Sequence, residues 1–256
     1  MGDLTSTEDF PYRDFVGVMG KINFRVKCLG EIAKRNPVES IERTKVLLIS
    51  GSIAGPSFTA GWIIEGINRI DYNPVRQSIS SLSRGPYGWI QVANFICTGL
   101  LTLAFSIGIR RILKSRRSPI LGSLLIGIIA IGLIIGGIFK GDKSIHLSYQ
   151  SLLHWFSAAL VFLGMPISCF VFATLFVKWG EFGWGIYAKV TGFLFTIAGL
   201  IFVLAVFIQK AGLADYVGLL QRVTITIGWI WLTLLAIHLL KTTSTRGHLS
   251  GLRIKP

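Results

Sequence analysis

Acidic residues are scarce in this 256-residue chain: 12 Asp and Glu stand against 26 Lys and Arg, and charged residues together reach only 15%. A water-soluble domain of this length needs about a quarter of its residues charged, so that class is excluded. Cysteine is scarce too. Cys28, Cys97 and Cys169 are odd in number, far apart and absent from the polar connections, which excludes a disulfide framework and leaves them as small buried hydrophobes. The N-terminus, with Asp3, Glu8 and Asp9, lacks a short apolar core followed by a small-residue cleavage site. No removable signal peptide is therefore expected, and the first span serves as its own insertion signal.

What the chain has instead is apolar length: 52% of its residues are hydrophobic. A hydrocarbon core about 30 Å thick takes roughly 20 apolar residues per helix, and long unbroken runs of this kind exclude a barrel. The expected fold is all-α, a polytopic transmembrane helix bundle of six spans. They are placed at Thr44–Ile67, Trp89–Leu113, Pro119–Phe139, Leu152–Val177, Tyr187–Ile208 and Val217–Leu240. Asn36-Pro37-Val38-Glu39 is a helix start, with Asn as cap, Pro at the first helical position and an acid at the positive end. Pro56 and Pro166 predict kinks in the first and fourth spans, and Gly99, Gly122, Gly127, Gly132 and Gly199 allow close helix contacts.

Ahead of the first span, Phe15, Val18, Met19, Ile22, Val26, Leu29 and Ala33 recur at helical spacing, with Lys21, Arg25, Lys27, Lys34 and Arg35 outside the stripe. This predicts an N-terminal amphipathic helix lying in the interface against anionic headgroups, or else packed on the protein's own helices. Three segments follow: a cytoplasmic N-terminal one over 1–43, the six-helix domain over 44–240, and a basic cytoplasmic tail over 241–256.

A net charge of +14 would suggest nucleic acid in a soluble protein, but here the cations flank hydrophobic segments, where they meet lipid. No nucleic-acid partner is implied; membrane lipids are the expected partners, and protein partners are not legible. Counted on alternate sides of the six spans, nineteen Lys and Arg fall on the side of the two termini and seven on the other. Positive residues stay inside. Both termini are thus expected in the cytoplasm of a multi-pass plasma-membrane protein.

That orientation gathers the first, third and fifth connections at one outer mouth, and these are the polar ones. In the first, Arg76, Ser78, Ser80, Ser83, Arg84 and Tyr87 offer hydrogen bonds and anion contacts; Arg suits bidentate recognition of phosphate, while a solvated, capped loop is the plainer reading. In the third, Asp142, His146, Gln150 and His154 are spaced four apart and would share a face if one helix carried them all. His146 and His154 would then lie about 12 Å apart, too far to share a zinc. No metal or cofactor is expected, and Asp142 with His146 is the better-spaced acid–base pair. In the fifth, Gln221 and Arg222 open the last span, and Arg222 sits deep enough to need a partner, for which Asp142 or Asp215 would serve.

The run Pro74-Val75-Arg76-Gln77-Ser78-Ile79-Ser80, continuing through Leu82-Ser83 and Gly85-Pro86 to Tyr87-Gly88-Trp89, with Asn94-Phe95 beyond, resembles the bacterial and archaeal membrane family catalogued as domain of unknown function 998. The resemblance extends from about Thr44 to Leu240 and takes in Gly218-Leu219-Leu220-Gln221-Arg222. It implies a six-helix integral membrane protein and no established activity. Three functions stay open. The first is binding of a lipid or other amphiphile at the outer mouth through Arg76, the serines and Arg222, with Tyr87, Gln150 and Gln221 beside them. The second is an intramembrane hydrolase or transferase using Asp142, His146 and His154, with Ser80 as a nucleophile that no glycine-flanked elbow supports. The third is a small transporter, against which stands the lack of paired broken helices.

Overall fold

The computed structural model describes residues 37–116, 118–141, 148–207 and 212–252. The expected N-terminal amphipathic helix lies outside them, as do Asp142 and His146. All packing described here belongs to the unit Arg43–Pro256.

The described secondary structure is helical throughout, with six long helices: α1 (Pro37–Ile67), α2 (Gly88–Ser115), α3 (Leu121–Ile138), α4 (Tyr149–Lys178), α5 (Phe182–Phe207) and α6 (Val217–Leu252). Each is long and apolar enough to cross a membrane. The helix ends follow the local chemistry. Helix α1 begins on Pro37, whose missing N–H is not needed there, with Glu39 in the first turn. Helices α1 and α4 run on through Pro56 and Pro166.

Two helix ends differ from expectation. Ser148 has extended backbone and its Oγ accepts the Ser151 N–H at 3.1 Å, so α4 starts at Tyr149. Of the four residues spaced by four, Gln150 and His154 stand on α4, while Asp142 and His146 lie outside the described residues. At the other extreme α6 continues to Leu252, past the expected span end at Leu240 and into the tail.

Consecutive helices from α2 to α6 pack in chain order. Helix α1 closes the bundle, meeting α2 where Gly51 faces Phe105 and Gly61 faces Asn94, and α6 where Gly55 faces Trp229 and Thr233. Phe105, Ile129, Phe172, Phe176, Phe195 and Trp231 fill the centre. With no hydrophobic force between helices in lipid, closeness must come from small residues. The five glycines singled out by sequence are unequal in this. A Cβ on Gly132 would stand 2.9 Å from the Ser157 carbonyl oxygen on α4, whereas on Gly127 it would meet only the Ser106 hydroxyl, at 3.6 Å. Gly132→Ala should lower the melting temperature in detergent by several degrees and Gly127→Ala should leave it within about a degree, since overpacking against backbone costs about 1–3 kcal/mol.

The first connection is built into one end of the bundle. Its centre is a 3-10 helix, Ile79–Ser83, with Ile79 and Leu82 fully buried. Residues three apart eclipse in that geometry, so both point into the core and hold the serines between and beside them at the bundle end.

Candidate functional site

Arg222 organises this end. The second turn of α6 brings its guanidinium under the first connection. There Nη1 donates to the carbonyls of Pro74 (2.6 Å), Gln77 (2.9 Å) and Gly218 (2.8 Å), and Nη2 donates to the Tyr72 hydroxyl. The Tyr72 hydroxyl in turn faces the carbonyls of Gln77 and Ser78 at 3.2 and 3.0 Å. Burial pushes the Tyr72 phenol above its ordinary pKa against the opposing pull of Arg222, so it stays a donor. The Trp62 ring lies 5.0 Å from the guanidinium carbon. Beside this cage Gln221 Oε1 accepts the Ile79 N–H at 2.6 Å and the Leu219 N–H donates to Val75 O at 2.9 Å. Gly218 makes the docking feasible, for a Cβ there would fall onto the Gln77 and Pro74 carbonyl oxygens. Arg222 thus takes backbone carbonyls and the Tyr72 hydroxyl; of the two expected partners, Asp215 lies instead 3.4 Å from Arg76 with both side chains exposed, and Asp142 is outside the described residues.

The far end of the segment is held by another arginine. Arg69 Nη1 donates to Leu82 O at 2.8 Å and its Nη2 to Arg84 O. Gly85 turns the chain at φ +83°, and a Cβ there would stand 2.8 Å from Arg69 Nη2. Arg84 then reaches the third connection, donating to Gly141 O at 3.3 Å. His154 closes the circle: its Nδ1 lies 2.8 Å from Phe139 O, which makes Nδ1 the protonated nitrogen and leaves the Nε2 lone pair free of that bond. The first, third and fifth connections therefore do meet at one mouth.

The segment separates two spaces. On its inner side a cavity of about 60 Å³ is lined by Ser80, Gln221, His154, Ser157 and Trp229 among apolar neighbours. That is room for about two waters. On its outer side a polar well of about 700 Å³ has Arg69, Arg76, Ser78, Ser81, Arg84 and Tyr87 in its wall. Asn68, Arg69 and Tyr87 also border a third space, an apolar groove of about 550 Å³ along Gly61, Ile64 and Ile90. The sequence-derived candidates thus divide. Arg76, Ser78 and Tyr87 face the well; Ser80, Gln221 and His154 face the inner cavity; Arg222 is spent on the segment itself; Ser83 is buried and Gln150 exposed. Ser78 and Ser80 nonetheless touch, Oγ to Oγ at 3.1 Å.

Several residues of these sites drew no attention in the sequence. Arg69 and Tyr72 were ordinary interface residues by type, and most of their partners are backbone carbonyls with no sequence signature. Glu65, an acid inside an apolar span, was the readable signal. At the opposite end of the bundle Glu181 joins three elements: its Oε1 stands 3.4 Å from Arg116 Nη1 and its Oε2 2.5 Å from His238 Nε2. His238 lies against Trp184, and Arg116 lies over Trp179 at 3.9 Å.

A helical bundle closed by α1 against α6, with its first connection folded into the end and clamped by Arg69 and Arg222, defines a multi-pass membrane protein with a preformed mouth. The chain belongs to the family described as "Protein of unknown function (DUF998)", whose model matches residues 52–238 and so covers every element of that mouth. Neither a curated protein nor a solved structure matches it significantly.

Proposed function

We propose that this protein binds a phospholipid or similar amphiphile at the mouth, with the phosphate in the polar well and an acyl chain along the apolar groove. The observation that carries this is the meeting of the two spaces at Asn68, Arg69 and Tyr87, which places three guanidinium groups next to a chain-sized apolar track. Arg76 is suited to exchange partners. Its contact to Asp215 is exposed, and such surface pairs are worth about 0–1 kcal/mol. The positive-inside count supports an outer-leaflet mouth with both termini in the cytoplasm.

The hydrolase or transferase reading ranks below binding on size. The inner cavity that His154 and Ser80 share, about 60 Å³, is several-fold smaller than the roughly 300 Å³ at which ligand sites begin. Nothing in the described residues favours the small transporter.

Native mass spectrometry of the detergent-purified protein tests the binding reading. Arg76→Gln and Tyr87→Ala should each lower phospholipid retention about three- to tenfold with unchanged thermal stability, because both side chains are exposed. Retention equal to wild type in both variants would sink the proposal.

A further inference from the structure

Glu65 is a carboxylate without a hydrogen-bond donor. Its side chain, near the end of α1, is only 4% exposed, and among the described residues neither of its oxygens has a hydrogen bond. The cation one turn on does not supply one. Arg69 Nη1 stands 3.7 Å from Oε1 while it donates to Leu82 O at 2.8 Å, and Nη2 is turned to Arg84 O. Arg69 thus lends charge to Glu65 and gives its hydrogen bonds to the first connection. A carboxyl so far removed from water is held neutral unless donors reach it, and donors are what its charged form needs.

The groove offers the way for one to reach it. Glu65 lines the same space as Gly61, Ile64 and Ile90, and Asn68, Arg69 and Tyr87 join that space to the arginine-bearing well. Glu65 thus lines the apolar track with its two oxygens buried behind it, while Arg76 and Arg84 line the adjoining well, so an acid and two cations border two connected spaces. We infer that the mouth recognises a zwitterionic phospholipid with a primary ammonium headgroup: the ammonium donates to Glu65, the phosphate lies toward the arginines, and a chain follows Ile64 and Ile90. This rests on the amphiphile-binding reading and names its ligand class. A primary ammonium has three N–H donors and a full charge to complement the acid. A quaternary ammonium has the charge but no donor, and a glycerol headgroup has donors but leaves the lipid anionic beside Glu65.

The test is competitive lipid retention by the full chain in detergent, read by native mass spectrometry, with ethanolamine, choline and glycerol phospholipids of identical chains. The wild type should keep the ethanolamine lipid about tenfold over the choline lipid, and Glu65→Gln should bring that ratio close to one while still retaining phospholipid. A series of mono-, di- and trimethylated ethanolamine lipids on the wild type gives a readout that needs no variant: retention should fall with each N–H removed and most sharply at the quaternary head. Equal retention of all headgroups, a preference for the glycerol lipid, or a preference that survives Glu65→Gln each overturns the assignment while leaving phospholipid binding intact. Retention of no phospholipid at all overturns both.

Discussion

Arg222→Met should destabilise the protein by about 3 kcal/mol, the largest loss expected from any single change at the mouth. Methionine preserves much of the stem's bulk in the membrane but removes four hydrogen bonds, to Pro74 O, Gln77 O, Gly218 O and the Tyr72 hydroxyl. Hydrogen bonds to charged groups are worth about 1.5–3 kcal/mol each, and water at the bundle end recovers part of that for the carbonyls. Arg222→Lys should recover only part of the loss, since one ammonium cannot span three carbonyls and a phenol. Thermal unfolding in detergent followed by tryptophan fluorescence measures both. A melting temperature for Arg222→Met within about two degrees of wild type would show that the first connection does not depend on this side chain.

The second large effect belongs to the opposite end. Glu181→Ala should cost about 2–3 kcal/mol, because it leaves Arg116, whose side chain is 9% exposed, and the 15%-exposed His238 without their shared carboxylate. Breaking a buried ion pair by removing one partner is expensive, about 3–5 kcal/mol, and Glu181 is somewhat exposed, which moderates the figure. A double-mutant cycle of Glu181→Gln with His238→Gln should show coupling of at least about 1 kcal/mol. Additive effects in that cycle would reduce the 2.5 Å contact to a neighbourly one.

Much of this architecture was legible in the chain. Long apolar runs set the six spans, because a hydrocarbon core tolerates little else, and alternate connections then had to share an end. The segment from Pro74 to Trp89 stood out by its polarity, and it is indeed the segment built into the mouth. Its internal geometry was hidden. A 3-10 helix follows neither the strand nor the α-helical period, so the burial of Ile79 and Leu82, and with it the inward turn of Ser80 away from Ser81 and the well, could not be read from spacing. Arg222 announced itself as a buried charge in want of a partner, but carbonyl oxygens belong to every residue and so mark none. The start of α4 at Tyr149 follows from the Ser148 cap, for which Ser148 ahead of Tyr149-Gln150-Ser151 was a readable signal. Glu181 lay in a short connection where one acid carries no pattern.

Helix α6 supplies a partner to both clusters, Arg222 at the mouth and His238 at the other end, sixteen residues and so about 24 Å apart on one continuous helix. A rod pinned at two points has one permitted axial position and one permitted rotation. A shift of one turn, or a twist of one residue, would break the Arg222 cage and the His238 contact together. The two faces of the membrane are thus held in a common mechanical register, and a ligand that pulled on the first connection would load the Glu181 contact through a rigid strut.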